Sequence, residues 1–147
     1  MTKLKRNLEF SCPCQSDDKS LILFSNCCQN FINGTDTPKT AEQLMRSRYT
    51  AFVLEDEAYL LSSWHTTTKP NTIEFDTETK WLGLKIISTK MGQETDQKGW
   101  VSFIARYKIS GKAHRLKEHS YFTRESGYWR YISAEDNDTT KAKANDV

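Results

Sequence analysis

Four cysteines, Cys12, Cys14, Cys27 and Cys28, supply all the thiols of this chain and lie in one short segment. A Cys-Pro-Cys pair followed by an adjacent Cys-Cys pair can wrap one ion, since zinc prefers four thiolates in a tetrahedron. Two alternatives stay open: a redox pair, or reduced thiols that serve as small core residues. The spacing favours structural zinc, whose four ligand positions are all filled by protein and leave none for water.

A second candidate site lies in the segment LKEHSYF, residues 116–122. Successive strand residues point to opposite faces, so Glu118 and Ser120 share a face with Leu116 and Phe122. In the neighbouring segments the same pattern gives an apolar face formed by Leu82, Leu84, Ile86, Val101, Phe103, Ala105 and Tyr107. A carboxylate on such a face needs a cation or a hydrogen-bond donor.

The cationic groups available to Glu118 are Arg46, Arg48 and His65. In one interpretation Glu118 and Arg48 form a buried ion pair that fixes how helices dock on a sheet. In the other, Glu118 is a general acid or base, with His65 or Arg48 as the orienting group. The structural interpretation is favoured, because no spacing of nucleophile, base and orienting group is visible.

Two helices precede these strands. The segment 40–56 predicts a helix with Thr40 as N-cap and Gln43 at capping-box spacing, and the segment 57–65 predicts a shorter second helix. The polar connection that follows predicts at most a short strand at residues 72–75.

From residue 81 onward the pattern is typical of strands separated by turns. The strand segments are WLGLKIISTKMG, GWVSFIARYKI, AHRLKEHSYFTRE and GYWRYISAE. They predict a four-stranded antiparallel meander, and with the helices on one face they predict an α+β domain. The predicted divisions are a cysteine segment at 1–34, the α+β domain at 35–134 and a disordered tail at 135–147.

Charge and hydropathy exclude several classes of protein. The 21 basic and 19 acidic residues are interspersed along the chain, which is weak support for a nucleic-acid or membrane partner. Nucleic-acid binding rests only on Lys3, Lys5, Arg6 and a zinc knuckle, and ranks third. No apolar run suits a signal peptide or a membrane span. We therefore expect a cytoplasmic, reducing compartment, in which clustered cysteines favour metal over disulfides.

The cysteine segment resembles the SEC-C zinc motif, through "CPC", a following serine and "CC". The motifs after it resemble the YchJ family of bacterial proteins: "LMRSRYTAFVLEDEAYLLSSWH", "WLGL", "VSFIARY", "LKEHSYF" and "GYWRYI". The resemblance implies a domain of nuclear transport factor 2-like (NTF2-like, cystatin-like cone) fold, and zinc ligands at the four cysteines. It implies no particular activity.

This chain departs from the SEC-C pattern at two positions and in one length. Gln15 and Asp17 stand where the typical motif has glycines, and the loop before the second cysteine pair is longer. Glycine adopts positive φ without steric cost. The two replacements therefore raise the question of whether the predicted metal site requires glycine in the turn after the first cysteine pair.

The function predicted from the sequence is a non-enzymatic, zinc-containing binding or adaptor protein that captures a protein or a small ligand. The alternative is a small-molecule enzyme or ligand-binding protein that uses the cone, with Glu118 as acid or base. A homodimer through the convex face of the sheet is compatible with both, by analogy with other cone folds.

Overall fold

The computed structural model describes residues 10–15 and 22–135, and the elements below are those of this part of the chain. Short 3₁₀ turns at Pro13–Gln15 and Phe24–Asn26 precede helices α1 (Cys28–Ile32), α2 (Ala41–Leu54) and α3 (Glu57–Ser62). Strands β1 (Thr79–Met91), β2 (Lys98–Ile109), β3 (Lys112–Glu125) and β4 (Tyr128–Ala134) follow. Residues 1–9, which include Lys3, Lys5 and Arg6, and the predicted disordered tail apart from residue 135 lie outside the described residues.

The four strands form one antiparallel sheet in the order β1-β2-β3-β4, which confirms the predicted meander. Two of its hairpins turn through Ser-Gly pairs with both residues at positive φ: 51° and 80° at Ser110 and Gly111, and 56° and 87° at Ser126 and Gly127. Two successive residues at positive φ match the right-handed twist of the paired strands, so these turns set the strand register.

Helix α2 begins at the predicted cap. Thr40 Oγ1 accepts a hydrogen bond from the backbone amide of Gln43 at 3.1 Å, and Gln43 Oε1 accepts from the amide of Lys39 at 2.7 Å. The helix ends two residues before the predicted boundary, because Glu55 adopts the left-handed conformation and the carboxylate of Asp56 caps α3 through the Tyr59 amide.

The predicted second helix is too long at its C-terminal end, since α3 ends at Ser62. Beyond Ser62 the chain leaves the helix to pair with β4, where the amide of His65 donates to the carbonyl of Tyr131 at 2.8 Å. The prediction of a short strand at residues 72–75 is also wrong, because these residues form no strand. The amide of Ile73 instead donates to the Glu57 carboxylate at 2.9 Å.

One hydrophobic core lies between the helices and the inner face of the sheet, the face that carries Val101, Phe103 and Ala105. The cysteine segment packs into the same core, since Cys12, Phe24 and the cysteines beside them belong to it together with residues of α2 and the sheet. Burial of these side chains therefore fixes the cysteines against the α+β domain.

A bulge in β1 corrects the predicted inner face at Leu82, which is 43% exposed. The register with β2 shifts between Trp81 and Gly83, so Leu82 has no partner opposite it. Trp81 takes the inner position opposite Tyr107, and β1 continues inward with Leu84, as predicted.

Candidate metal centre

The four cysteine sulfurs converge on one point. The Sγ atoms lie within 4.8 Å of one another, with 3.7 Å between Cys12 and Cys14, 3.6 Å between Cys14 and Cys27, and 4.0 Å between Cys27 and Cys28. Four sulfurs bound at about 2.3 Å to one tetrahedral zinc ion lie about 3.8 Å apart. All four cysteines are free thiols. The geometry therefore fits a single four-coordinate metal ion.

Two backbone segments bring the sulfurs together. The first is anchored by an antiparallel bridge between Ser11 and Leu23, beside which the amide of Cys12 donates to the carbonyl of Ile22 at 2.9 Å. Cys14 lies on the 3₁₀ turn that follows. Cys27 and Cys28 occupy the N-cap and first position of α1. The Cys-Cys pair projects two sulfurs toward the Cys-Pro-Cys turn.

Helix α2 supports the cluster from the core side. Arg46 donates from Nη1 to the carbonyl of Cys14 at 2.7 Å and from Nε to Glu42 at 2.9 Å, and Thr50 Oγ1 lies 3.7 Å from Cys12 Sγ. Such outer contacts orient metal ligands. Arg46 was one of the three cationic groups that the sequence offered as partners of Glu118. The structure places it at the cysteines instead.

The thiols perturb one another strongly because they share hydrogen bonds. Hydrogen bonds from Cys14, Cys27 and Cys28 lower the pKa of the Cys12 thiol well below its ordinary value. Hydrogen bonds from Cys12, Cys14 and Cys27 raise the pKa of the Cys28 thiol. Four thiolates at this spacing would repel one another, and a divalent cation at their centre would balance that charge.

The first departure from the SEC-C pattern is accommodated. Gln15 is described and is not one of the residues with positive φ, so the backbone at this position does not require glycine. Its side-chain Nε2 also donates to Cys27 Sγ at 3.7 Å. A glutamine here adds a sulfur contact that glycine cannot make. Asp17 and most of the longer loop lie outside the described residues.

Arg48, the second predicted cation, is buried on α2 with 4% exposure. Its Nη1 donates to the carbonyl of Leu60 at 2.8 Å and to Ser63 Oγ at 2.7 Å. The guanidinium carbon lies 4.8 Å from the ring centroid of Trp64 and 4.5 Å from that of Tyr131. Burial lowers the pKa of Arg48 to about 10, so the group stays charged at neutral pH.

Glu118 and Arg48 line one cavity of about 130 Å³, with Ser120 and Tyr131. Ser120 Oγ donates to Glu118 Oε2 at 3.2 Å. Desolvation raises the pKa of Tyr131, and the Glu118 carboxylate adds to that shift. The structure thus brings Glu118, Ser120 and Arg48 together on the inner face of the sheet.

His65 lies away from this cavity. Its Nδ1 contacts Thr67 Oγ1 at 2.8 Å and lies 4.0 Å from a carboxylate oxygen of Glu125. The structure does not bring His65 and Glu118 together, because the early end of α3 turns the imidazole toward the polar loop at residues 66–68.

A larger cavity of about 480 Å³ adjoins the first and shares Phe52 and Trp81 with it. Phe75 and the acidic residues Glu74 and Asp76 also line this cavity. This cavity was not predicted, because the polar sequence of residues 66–80 indicates only a connection. The alternation of aromatic and acidic side chains in IEFD was the available signal.

None of the helices within residues 10–15 and 22–135 is long and apolar enough to span a membrane.

Comparison with known proteins places the chain among bacterial relatives. A family model described as the YchJ middle NTF2-like domain matches residues 40–134. A UPF0225 protein of Chromobacterium violaceum is 39% identical over 135 residues, which cover 89% of this chain and 96% of the relative. A UPF0225 protein of Streptomyces avermitilis is 42% identical over 125 residues, 85% of this chain and 84% of the relative.

Two solved structures have a similar fold. The solution structure of a SEC-C motif containing protein from Rhodopseudomonas palustris has a TM-score of 0.73 and 26% identity, and the match covers 88% of this chain and 100% of that one. The crystal structure of a SEC-C motif containing protein from Psychrobacter arcticus also has a TM-score of 0.73, at 23% identity, covering 90% and 87%. The α+β cone fold is thereby confirmed, and the chain belongs to the YchJ (UPF0225) family.

Proposed function

We propose that the protein is a non-enzymatic binding protein in which one structural zinc ion shapes a surface for a protein partner. The observation that supports this most is the convergence of four Sγ atoms at tetrahedral spacing. With four thiolates bound, zinc has no open position for water or substrate, so its contribution is to folding.

An aromatic side chain beside the metal centre supports a role in protein capture. Phe10 is 38% exposed and stacks on the buried ring of Phe24, with centroids 5.2 Å apart. Two residues after Phe10, the backbone amide of Cys12 donates a hydrogen bond to the carbonyl of Ile22, which precedes the second cysteine pair. An aromatic residue held rigidly at a surface is a typical anchor of protein interfaces.

The first test measures metal per chain by elemental analysis of untagged protein purified without chelator. We expect about one zinc per chain, and its loss in the Cys27→Ser/Cys28→Ser variant. Absence of zinc from the unmodified protein would overturn the assignment of a structural metal centre.

The second test separates the surface from the metal. Phe10→Ser should keep the zinc and lose the protein partners recovered with the unmodified chain, whereas the matched variant Leu82→Ser, which removes an exposed side chain from the sheet, should keep both. Partners that survive both Phe10→Ser and the double cysteine variant would contradict the adaptor function.

The cavity at Glu118 supports a second candidate, a small-molecule enzyme or ligand-binding protein. A carboxylate that lines a largely apolar cavity with Arg48 is an arrangement that can hold or move a proton. Glu118→Gln is the discriminating change. A variant that folds normally but loses turnover or ligand binding would support the candidate, and a variant that unfolds would assign Glu118 to structure.

A further inference from the structure

Most basic residues of the four strands lie on the same face of the sheet. In β2 the buried residues Val101, Phe103 and Ala105 alternate with residues that point away from the helices. We call the side opposite the helices the outer face. Its cationic residues, read from the strand pairing, are Lys80, Lys85, Lys90, Lys98, Arg106, Lys108, Arg115, Lys117 and Arg130.

In the four described strands the outer face carries a single carboxylate, Glu125 at the end of β3, and this carboxylate accepts a hydrogen bond from the backbone amide of Thr66. The other strand carboxylate, Glu118, lines the inner cavity. Glu135, just after β4, accepts a hydrogen bond from Trp100 Nε1 at the edge of the face. A net charge of +2 over the whole chain therefore conceals a strongly basic surface.

The strand register places like charges directly opposite each other on this face. Lys80 pairs with Lys108, and Arg106 pairs with Arg115. Like charges in directly opposed positions destabilise a sheet. An anion lying across these rows relieves the repulsion, so the arrangement suits a polyanionic ligand.

An aromatic pair lies within the same surface. Trp100 and Tyr121 are cross-strand partners whose ring centroids are 5.1 Å apart at 30°. The ammonium groups of Lys90 and Lys98 lie 5.2 and 6.0 Å from the Trp100 ring centroid. Aromatic rings flanked by cations are the features with which proteins bind single strands, since bases stack on the rings while lysines meet the phosphates.

We propose that the outer face binds single-stranded nucleic acid, with phosphates along the rows of lysine and arginine and a base stacked at Trp100 and Tyr121. A second copy of the chain is a poor occupant, because a two-fold contact would set one basic face against another. A duplex keeps its base faces covered and offers nothing to the aromatic pair.

Basic and acidic residues are interspersed along the sequence, which gave only weak support for a nucleic-acid partner. Because successive side chains of a strand point to opposite faces, the basic residues of the strands nevertheless gather on the outer face. This proposal is independent of the zinc-supported protein surface, since the outer face lies across the sheet from the core that holds the cysteines.

The first experiment measures fluorescence anisotropy of labelled oligouridylate and oligothymidylate, each of about 16 nucleotides. The unmodified full-length chain should bind both strands more tightly than a duplex of equal length. The Lys85→Gln/Lys117→Gln variant should bind about tenfold more weakly, and its slope of log affinity against log salt should fall by about 1.4, at about 0.7 per lost phosphate contact.

The matched control is Lys39→Gln/Lys69→Gln, which removes the same charge from exposed positions outside the sheet. It should change affinity less than twofold. Equal losses in the two double variants, or no binding at about 50 mM salt, would overturn the proposal. Binding of duplex, heparin or anionic vesicles as tight as that of the single strands would overturn it too, since it would assign the face to polyanions in general.

The second experiment uses tryptophan fluorescence, because Trp100 is the outer-face tryptophan, whereas Trp64, Trp81 and Trp129 belong to the inner cavities and the core. Oligouridylate should quench part of the emission, and Trp100→Leu should abolish that quenching and weaken binding about tenfold. Quenching that persists in Trp100→Leu would remove the aromatic pair from the proposed site.

Discussion

At the scale of single residues, the guanidinium of Arg48 joins α2 to α3 and β4. It donates hydrogen bonds to the carbonyl of Leu60 and the hydroxyl of Ser63, and its guanidinium carbon lies over the rings of Trp64 and Tyr131. Cation–π contacts become stronger when the cation is desolvated, as it is here. This single side chain therefore fixes how α3 docks on the last strand.

We expect Arg48→Ala to destabilise the fold by about 2–5 kcal/mol, because it leaves a cavity and removes the donor to the buried Leu60 carbonyl. The free energy of unfolding in urea measures the loss. Arg115→Ala, which removes an exposed arginine from the outer face, should stay within about 0.5 kcal/mol of the unmodified protein. A similar value for Arg48→Ala would mean that burying the charge offsets all its contacts.

Tyr59 predicts a dependence of stability on alkaline pH. Desolvation raises the pKa of Tyr59 to about 12, and its hydroxyl lies 2.6 Å from Ser47 Oγ. Near pH 10 the unfolded tyrosine begins to lose its proton while the folded one keeps it, so stability falls between the two pKa values. For this residue the loss approaches about 1.4 kcal/mol per pH unit.

Urea unfolding at a series of pH values from neutral to alkaline measures that slope. Tyr59→Phe should reduce the slope and leave the part due to the raised pKa of Tyr131, whereas Tyr128→Phe, at the exposed start of β4, should leave the slope unchanged. An identical slope in all three proteins would show that the phenol of Tyr59 titrates no differently in the two states.

At the scale of elements, two glycines with the same backbone conformation have different surroundings. Gly92 and Gly111 both have φ of +80°. A Cβ built on Gly92 would lie 2.9 Å from Ala41 Cβ, whereas one built on Gly111 meets nothing within 4 Å. The carbonyl of Gly92 also accepts a hydrogen bond from the amide of Ala41 at 2.9 Å. Gly92 therefore allows α2 to begin directly on the β1-β2 hairpin.

We expect Gly111→Ala to cost about 1–2 kcal/mol, from backbone strain alone. Gly92→Ala should cost about 1–3 kcal/mol more, because the start of α2 must move away from the hairpin. Chemical denaturation of the two variants compares them directly. Equal losses would mean that the close approach to Ala41 relaxes without cost.

Some structural features are specified by residues close in sequence, and others depend on pairing with distant strands. The Thr40 cap and the turns between the strand segments depend on side chains and backbone preferences within a few residues, and both were predicted from the sequence. The bulge at Leu82 and the early end of α3 depend on pairing with β2 and β4, which no local window contains.

The candidate sites divide in the same way. The four cysteines were identified by residue type and spacing, and Glu118 by strand alternation. The placing of His65 outside the cavity required knowing where α3 ends, and the basic outer face required the pairing of all four strands.

At the scale of the whole molecule, the cysteine cluster and the α+β domain are parts of one packed unit. Cys12, Cys14 and Cys28 are almost fully buried in the core that also contains Leu44 of α2. Arg46 and Thr50 tie the same helix to the cysteine backbone and sulfur. The free energy of binding a metal at four thiolates is therefore expected to stabilise the whole chain.

Removal of zinc with a strong chelator should accordingly lower the midpoint of thermal unfolding of the entire domain, in a single transition observed both by sheet circular dichroism and by tryptophan fluorescence. Readdition of zinc should restore the midpoint. The Cys27→Ser/Cys28→Ser variant should already unfold at the lower temperature and respond to neither treatment. If the sheet instead kept its midpoint after zinc loss, the cysteine segment would have to be stabilised separately, and the packing of its thiols against α2 would contribute little to the stability of the fold.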